Sequence, residues 1–222
     1  MRIIATLLLV VALFTAASAE LLVTANPFGK GRWVVEGAYI SETNVSNVSG
    51  MSAGTIGAYL GYGLNESLDL IVSGGQAVLS GLPLGISACR NTGLGLNLKY
   101  ALLNEGKDMP VSVALGGGYK MLSQVTSVVG AGDTTDNGNQ ILLALGVSKV
   151  IVPFIPYAGL DYRTVAYNGS NTQTQIDLSL GSFIAWSLNG AVVVEYTLQS
   201  ITPNGVSNYT SSQIAGGIAY KI

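Results

Sequence analysis

Histidine is missing from this sequence altogether, and cysteine occurs once, at Cys89. Without histidine, the usual general base of hydrolytic and acyl-transfer chemistry is unavailable. A lone cysteine forms no intramolecular disulfide, and with no histidine beside it a transition-metal site has no ligand set. Nothing matches a phosphate-cradling loop, because Gly116-Gly117-Gly118 lies inside a strand pattern and does not open a helix. Neither a cofactor nor a metal is therefore expected. Charge is also scarce: Asp, Glu, Lys and Arg make up 10% of the chain, against about 25% in a typical soluble domain. No basic patch is present, which excludes a nucleic-acid footprint. Long apolar runs are scarce too. One spans Ile3 to Phe14, and nothing after it approaches the ~18 residues that a membrane helix requires.

The single apolar run reads as an export signal. Arg2 precedes it, and Ala17-Ser18-Ala19 follows as a small-residue cleavage site. Residues 1–19 are expected to be a signal peptide and residues 20–222 one all-β domain starting at Glu20. Losing Arg2 with the signal takes the ten basic residues to nine; against twelve acidic ones the net charge is −3. A chain of positive mean hydropathy with no helical span is unusual in water. It suits a closed barrel with one face in lipid, since only helices and closed barrels satisfy their backbone in hydrocarbon.

What is present is a repeat of alternating runs. Compact turns recur about every 40 residues: Gly63-Leu64-Asn65-Glu66-Ser67, residues 103–108, the stretch around Ile151-Val152-Pro153, and Ser187-Leu188-Asn189-Gly190. Longer connections rich in Ser, Thr, Asn and Gly fall near 41–50, 80–90, 123–138, 167–173 and 201–208. Short turns at one rim and longer loops at the other are the layout of a transmembrane barrel. The spacing predicts ten strands, at about 31–41, 51–62, 68–79, 91–102, 110–122, 139–150, 154–166, 174–186, 191–200 and 209–222. Eight strands is the alternative. An even count returns both termini to the same rim. Within strands the period is two. Leu94, Leu96, Leu98, Tyr100 and Leu102 share one face, while Gly93, Gly95, Asn97, Lys99 and Ala101 share the other.

Two residue sets argue that the apolar face meets lipid. Trp33, Tyr62, Tyr100, Phe154, Trp186 and Tyr220 fall at the short-turn end, which predicts a membrane-interface aromatic girdle. Tyr39, Tyr119, Tyr162, Tyr196 and Tyr209 fall nearer the other end. On the polar face Glu36, Asp69, Asp161, Asp177 and Glu195 meet Lys99, Lys120, Arg163 and Lys221. Five acids against four bases suits mutual pairing in a narrow lumen, whereas a solvated surface carries more charge. Folding one hairpin about Gly169 brings Asp161 opposite Asp177, with Arg163 two residues along. A buried ion-pair cluster is favoured there over an ion-selective constriction or a carboxylate pair for acid/base work. Asp133 and Asp136 lack the ligand spacing of a dedicated Ca²⁺ loop.

Leu60-Gly61-Tyr62-Gly63-Leu64-Asn65-Glu66-Ser67-Leu68-Asp69-Leu70 resembles the strand–turn–strand phrase of small bacterial outer-membrane β-barrel proteins. The stretch from Ile214 to Ile222 is similar to the terminal strand that the barrel-assembly machinery recognises, with Ile222 where Phe or Trp is usual. The resemblance implies a closed antiparallel up-and-down transmembrane barrel in the outer membrane of a Gram-negative cell. It also implies outer-membrane lipid, periplasmic chaperones and the assembly machinery as partners. Barrel enzymes of this kind mostly use a catalytic histidine, so the expectation is a non-enzyme with no catalytic residues. The leading role is structural or surface-exposed, with a lumen filled by paired charges. A narrow porin-like channel for small solutes or ions and a loop-mediated surface binder are the alternatives.

Overall fold

A computed structural model describes residues 24–45, 50–168, 172–204 and 207–222. The expected signal peptide and the Gly169 turn lie outside the described residues. Ten strands follow in order: β1 (Trp33–Thr43), β2 (Ser52–Gly63), β3 (Leu68–Ser80), β4 (Ile86–Leu103), β5 (Ser112–Val128), β6 (Gly132–Ser148), β7 (Phe154–Tyr167), β8 (Thr172–Ala185), β9 (Gly190–Pro203) and β10 (Tyr209–Lys221). Each pairs antiparallel with its sequence neighbours. β1 also pairs with β10, from Val34↔Lys221 to Thr43↔Ser212, so the sheet is a closed up-and-down barrel. Ten strands, and not eight, form the ring.

Side-chain alternation puts the apolar face outside. On β4, Leu94, Leu96 and Leu98 are exposed while Asn97 and Lys99 are buried. The same parity holds on β6, where Leu143 is 61% exposed and its neighbours Leu142 and Ala144 are buried. A surface of exposed Leu, Ile and Val around a polar interior inverts a water-soluble domain. It is the arrangement lipid requires, because hydrocarbon solvates the side chains and the closed ring leaves no backbone edge. Substituting Leu143→Arg is therefore expected to cost about 2–4 kcal/mol in unfolding from lipid vesicles. Leu84→Arg, at a fully exposed position of the β3–β4 connection, is expected to stay within about 0.5 kcal/mol. Equal shifts in denaturant midpoint would contradict the lipid-facing assignment of β6.

The outer rim differs from the sequence expectation. Residues 123–138, read as a polar loop, are mostly strand: β5 and β6 stay paired up to Val128↔Gly132. Gly130 (φ 75°) and Gly132 (φ 81°) supply the left-handed backbone that turns the chain there. The 80–90 loop likewise shrinks, because β4 begins at Ile86. Asp133 and Asp136 accordingly sit on β6, opposite Ser127 and Gln124. No cluster of metal-ligating residues occurs among the described residues. The six aromatics Trp33, Tyr62, Tyr100, Phe154, Trp186 and Tyr220 all lie at the short-turn rim, on outward-facing parity, and the Trp33 and Tyr62 rings meet at 4.5 Å. Tyr39, Tyr119, Tyr162 and Tyr196 face outward higher up, but Tyr209 is buried and faces the lumen. It shares the inward parity of Ser211 and Gln213.

Candidate functional site

The lumen is the place where polar residues converge. Its wall is built from every second residue of each strand, so the sequence period of two decides what enters it. Among the described residues six acids (Glu36, Glu42, Asp69, Asp161, Asp177 and Glu195) and three bases (Lys99, Lys120 and Arg163) are buried there. Lys221 is half-buried at the short-turn rim.

Asp161 and Asp177 are direct cross-strand partners on β7 and β8. Arg163, wholly buried, bridges them, with Nη2 at 2.9 Å from each carboxylate. Gln175 adds a second donor to Asp177, 2.8 Å from Oδ1. Two like charges facing each other across a strand pair repel, and the guanidinium converts that repulsion into two charge-assisted hydrogen bonds. Next to this cluster the Tyr157 hydroxyl donates to Glu195 at 2.6 Å, and Thr197 donates to the other carboxylate oxygen at 2.8 Å. At the outer end Glu42 accepts from Ser211 at 2.5 Å and Gln213 at 3.1 Å. Glu42 was read as part of a loop. The alternation Glu36, Ala38, Ile40, Glu42 was the signal that places it on β1.

Pairwise neutralisation describes part of this set only. Lys99 pairs with Asp69 at 3.0 Å, and Arg163 takes two acids. Glu195 and Glu42 are held instead by hydroxyl and amide donors. Lys120 lies along Gly93 and Gly95 of β4: a Cβ at Gly93 would collide with its aliphatic stem, and one at Gly95 would touch that stem and collide with the Ser73 hydroxyl. Glutamines fill the rest of the outer half, with Gln124, Gln140, Gln173 and Gln199 all buried. A small apolar cluster of Val45, Met51, Ala53, Leu79 and Cys89 packs at that end.

The other end receives a segment that the sequence reading did not single out. Residues 24–32, which precede β1, turn into the barrel. Ala25 is wholly buried against Ala114, Leu142 and Ala144, and its N–H donates to Ser148 at 3.0 Å. The Phe28 N–H donates to both Asp69 oxygens at 3.1 Å. Lys99 Nζ donates to the carbonyls of Asn26 (2.8 Å) and Thr24 (3.2 Å) and lies 4.1 Å from the Phe28 ring centre. Ser112 donates to the Asn26 side chain. The Lys99–Asp69 pair thus serves as a clamp on backbone that would otherwise bring unmet donors and acceptors into the lumen. Glycines of β2 make the room. A Cβ at Gly61 would stand 2.2 Å from the Phe28 ring, and one at Gly63 would stand 1.9 Å from the Gly29 carbonyl oxygen. The Gly31 N–H donates to the Gly63 carbonyl at 2.8 Å. The glycines in Gly61-Tyr62-Gly63 are needed for this close approach.

No protein-family model matches the sequence, and no curated protein matches it. Solved structures do match. The β domain of the Bordetella autotransporter BrkA aligns with a TM-score of 0.52 at 12% identity, over 87% of this chain and 100% of that one. Neisserial surface protein A aligns at TM-score 0.44 and 14% identity, over 86% and 96%. The outer membrane protease OmpT from Escherichia coli aligns at 0.46 and 11%, over 86% and 96%. The chain therefore has the fold of the small outer-membrane β-barrels.

Proposed function

We propose that this protein is a non-enzymatic integral outer-membrane β-barrel with a structural or surface-exposed role and a lumen closed to solutes. The observation that carries the reading is the seating of residues 24–29 inside the barrel, with Ala25 wholly buried and the Phe28 N–H bonded to Asp69. The Arg163 cluster and the glutamine layer stand above this plug. Ten strands also lie near the narrow end of the size range, where side chains fill the interior, whereas aqueous porins have about 16–18 strands. The apolar outer face supports insertion in lipid, and chaperones and the assembly machinery are the partners such a barrel needs on its way there. The absence of histidine from the sequence supports the non-enzymatic reading.

Planar bilayers test it. Refolded protein is expected to give no unitary conductance steps under conditions where a reference porin in the same bilayer conducts. Stable, reproducible steps from the unaltered chain would replace the closed-barrel reading with that of a narrow channel.

A further inference from the structure

The short-turn end of the lumen is filled unevenly. Residues 24–31 pack toward β2–β6, through Gly61, Asp69, Lys99, Ser112 and Ala114. Between this segment, the walls of β1–β4 and β7–β10, and the β8–β9 turn, a cavity of about 310 Å³ remains. That is near the lower end of the volumes that hold small ligands, roughly 300–1,000 Å³. Phe28, Ile155 and Phe183 line it, and Leu188 of the β8–β9 turn stands at its mouth.

Glu36 faces this largely apolar space, which Lys99 and Lys221 also line. Glu36 lines the cavity and is only 8% exposed. No hydrogen bond or ion pair among the described residues reaches its carboxyl. The neighbouring charges do not answer it. Glu195 is a second acid, already held by Tyr157 and Thr197. Lys99 is engaged by Asp69 and by the carbonyls of Thr24 and Asn26. Lys221 lies two residues nearer the rim than Ala219, the register partner of Glu36, and is half-buried at the opening. A carboxyl withdrawn from water without a donor is costly, and a ligand that brings a cationic donor removes that cost. A single carboxylate in apolar walls does not suit a bare divalent metal, which takes several oxygen ligands. An anion would meet Glu36 as a like charge.

We propose that the cavity binds a small organic ammonium ion. The ammonium donates to the Glu36 carboxylate, and a compact apolar body, one ring or a short chain, lies against Phe28, Phe183 and Ile155. The ring faces add a cation–π attraction for the same end of the ligand. Entry is from the short-turn rim past Leu188. The site rests on the same seating of the segment before β1 as the closed-lumen reading, since Phe28 is one of its walls, but it uses none of the Arg163 cluster.

The test uses full-length refolded protein in micelles at neutral pH, with phenethylammonium as the probe and 2-phenylethanol and phenylacetate as controls. Saturation-transfer NMR and calorimetric titration read the binding. Phenethylammonium is expected to bind saturably and more tightly than either control. Glu36→Gln is expected to weaken it by at least about tenfold, the loss of one charge-assisted contact. Lys221→Ala, which removes a like charge at the mouth, is expected to leave binding unchanged or tighter. Ala185→Leu narrows the cavity without touching a charge and is expected to abolish binding, so it carries the test should Glu36→Gln fail to fold. Equal uptake of 2-phenylethanol, tighter binding of phenylacetate, or binding unmoved by both Glu36→Gln and Ala185→Leu would overturn the proposal.

Discussion

Arg163→Ala is expected to destabilise the folded barrel by about 3–5 kcal/mol, the cost of removing one partner from a buried charge network. The arginine is wholly buried and contacts Asp161 and Asp177, each at 2.9 Å. Without it two carboxylates face each other across β7 and β8, with Gln175 as a donor to one of them. Proton uptake relieves some of that repulsion, which is why the loss is bounded. The same substitution made with Asp161→Asn and Asp177→Asn is expected to cost far less, since neutral amides leave nothing charged behind. Arg163→Met in that background keeps the volume and is expected to fall within about 1–2 kcal/mol of the parent. Denaturant unfolding of the full cycle in vesicles measures this. An Arg163→Ala cost that is the same in both backgrounds would mean that packing, and not the bridge between two acids, holds this layer.

Asp69→Ala is expected to produce a loss of similar size together with a second effect. It strips Lys99 of its counter-charge, again about 3–5 kcal/mol for a buried ion left alone. It also removes the acceptor for the Phe28 N–H. The amide of Phe28, and those of Ala25 and Gly31, are expected to be protected from hydrogen exchange in the parent and to exchange freely in the variant. The charge and the tether separate in a double variant. Asp69→Leu with Lys99→Met removes both ions, so global stability is expected to recover while Phe28 stays unprotected. If Ala25 remains protected in Asp69→Ala, its own bond to Ser148 and its packing on Ala114 hold the segment without the clamp.

The parts of this molecule that were legible in the sequence are those set by local alternation. Leu94 to Leu102 state their side of the sheet residue by residue, and the even spacing of turns counts the strands. Asp161 opposite Asp177 followed from one hairpin. The outer extension of β5 and β6 was not legible for a physical reason. Above the hydrocarbon both faces of a strand tolerate polar residues, so Ser123 to Gly138 carry no apolar face and read as a loop. The plug was hidden for a different reason. Residues 24–32 have no period, and their placement comes from partners such as Ser148, 123 positions from Ala25. Only the glycines at 61 and 63 hinted at a close neighbour. The hydroxyl and amide donors that reach Glu195 and Glu42 from Tyr157, Ser211 and Gln213 were not legible either, because they come from other strands.

The seam between β1 and β10 has a consequence for how the molecule comes into being. Trp33 and Ile222 exchange both of their backbone hydrogen bonds, at 3.1 and 2.8 Å, so the first strand waits for the last. Until that joint is made, two strands carry open rows of N–H and C=O groups that hydrocarbon cannot satisfy. No half of the chain is a stable object in the bilayer. The plug lies ahead of β1, so it has to be inside before the joint closes or be drawn in from the same rim. Assembly is all-or-none, and a chain cut short by its final strand is left as an open ribbon and not as a smaller barrel.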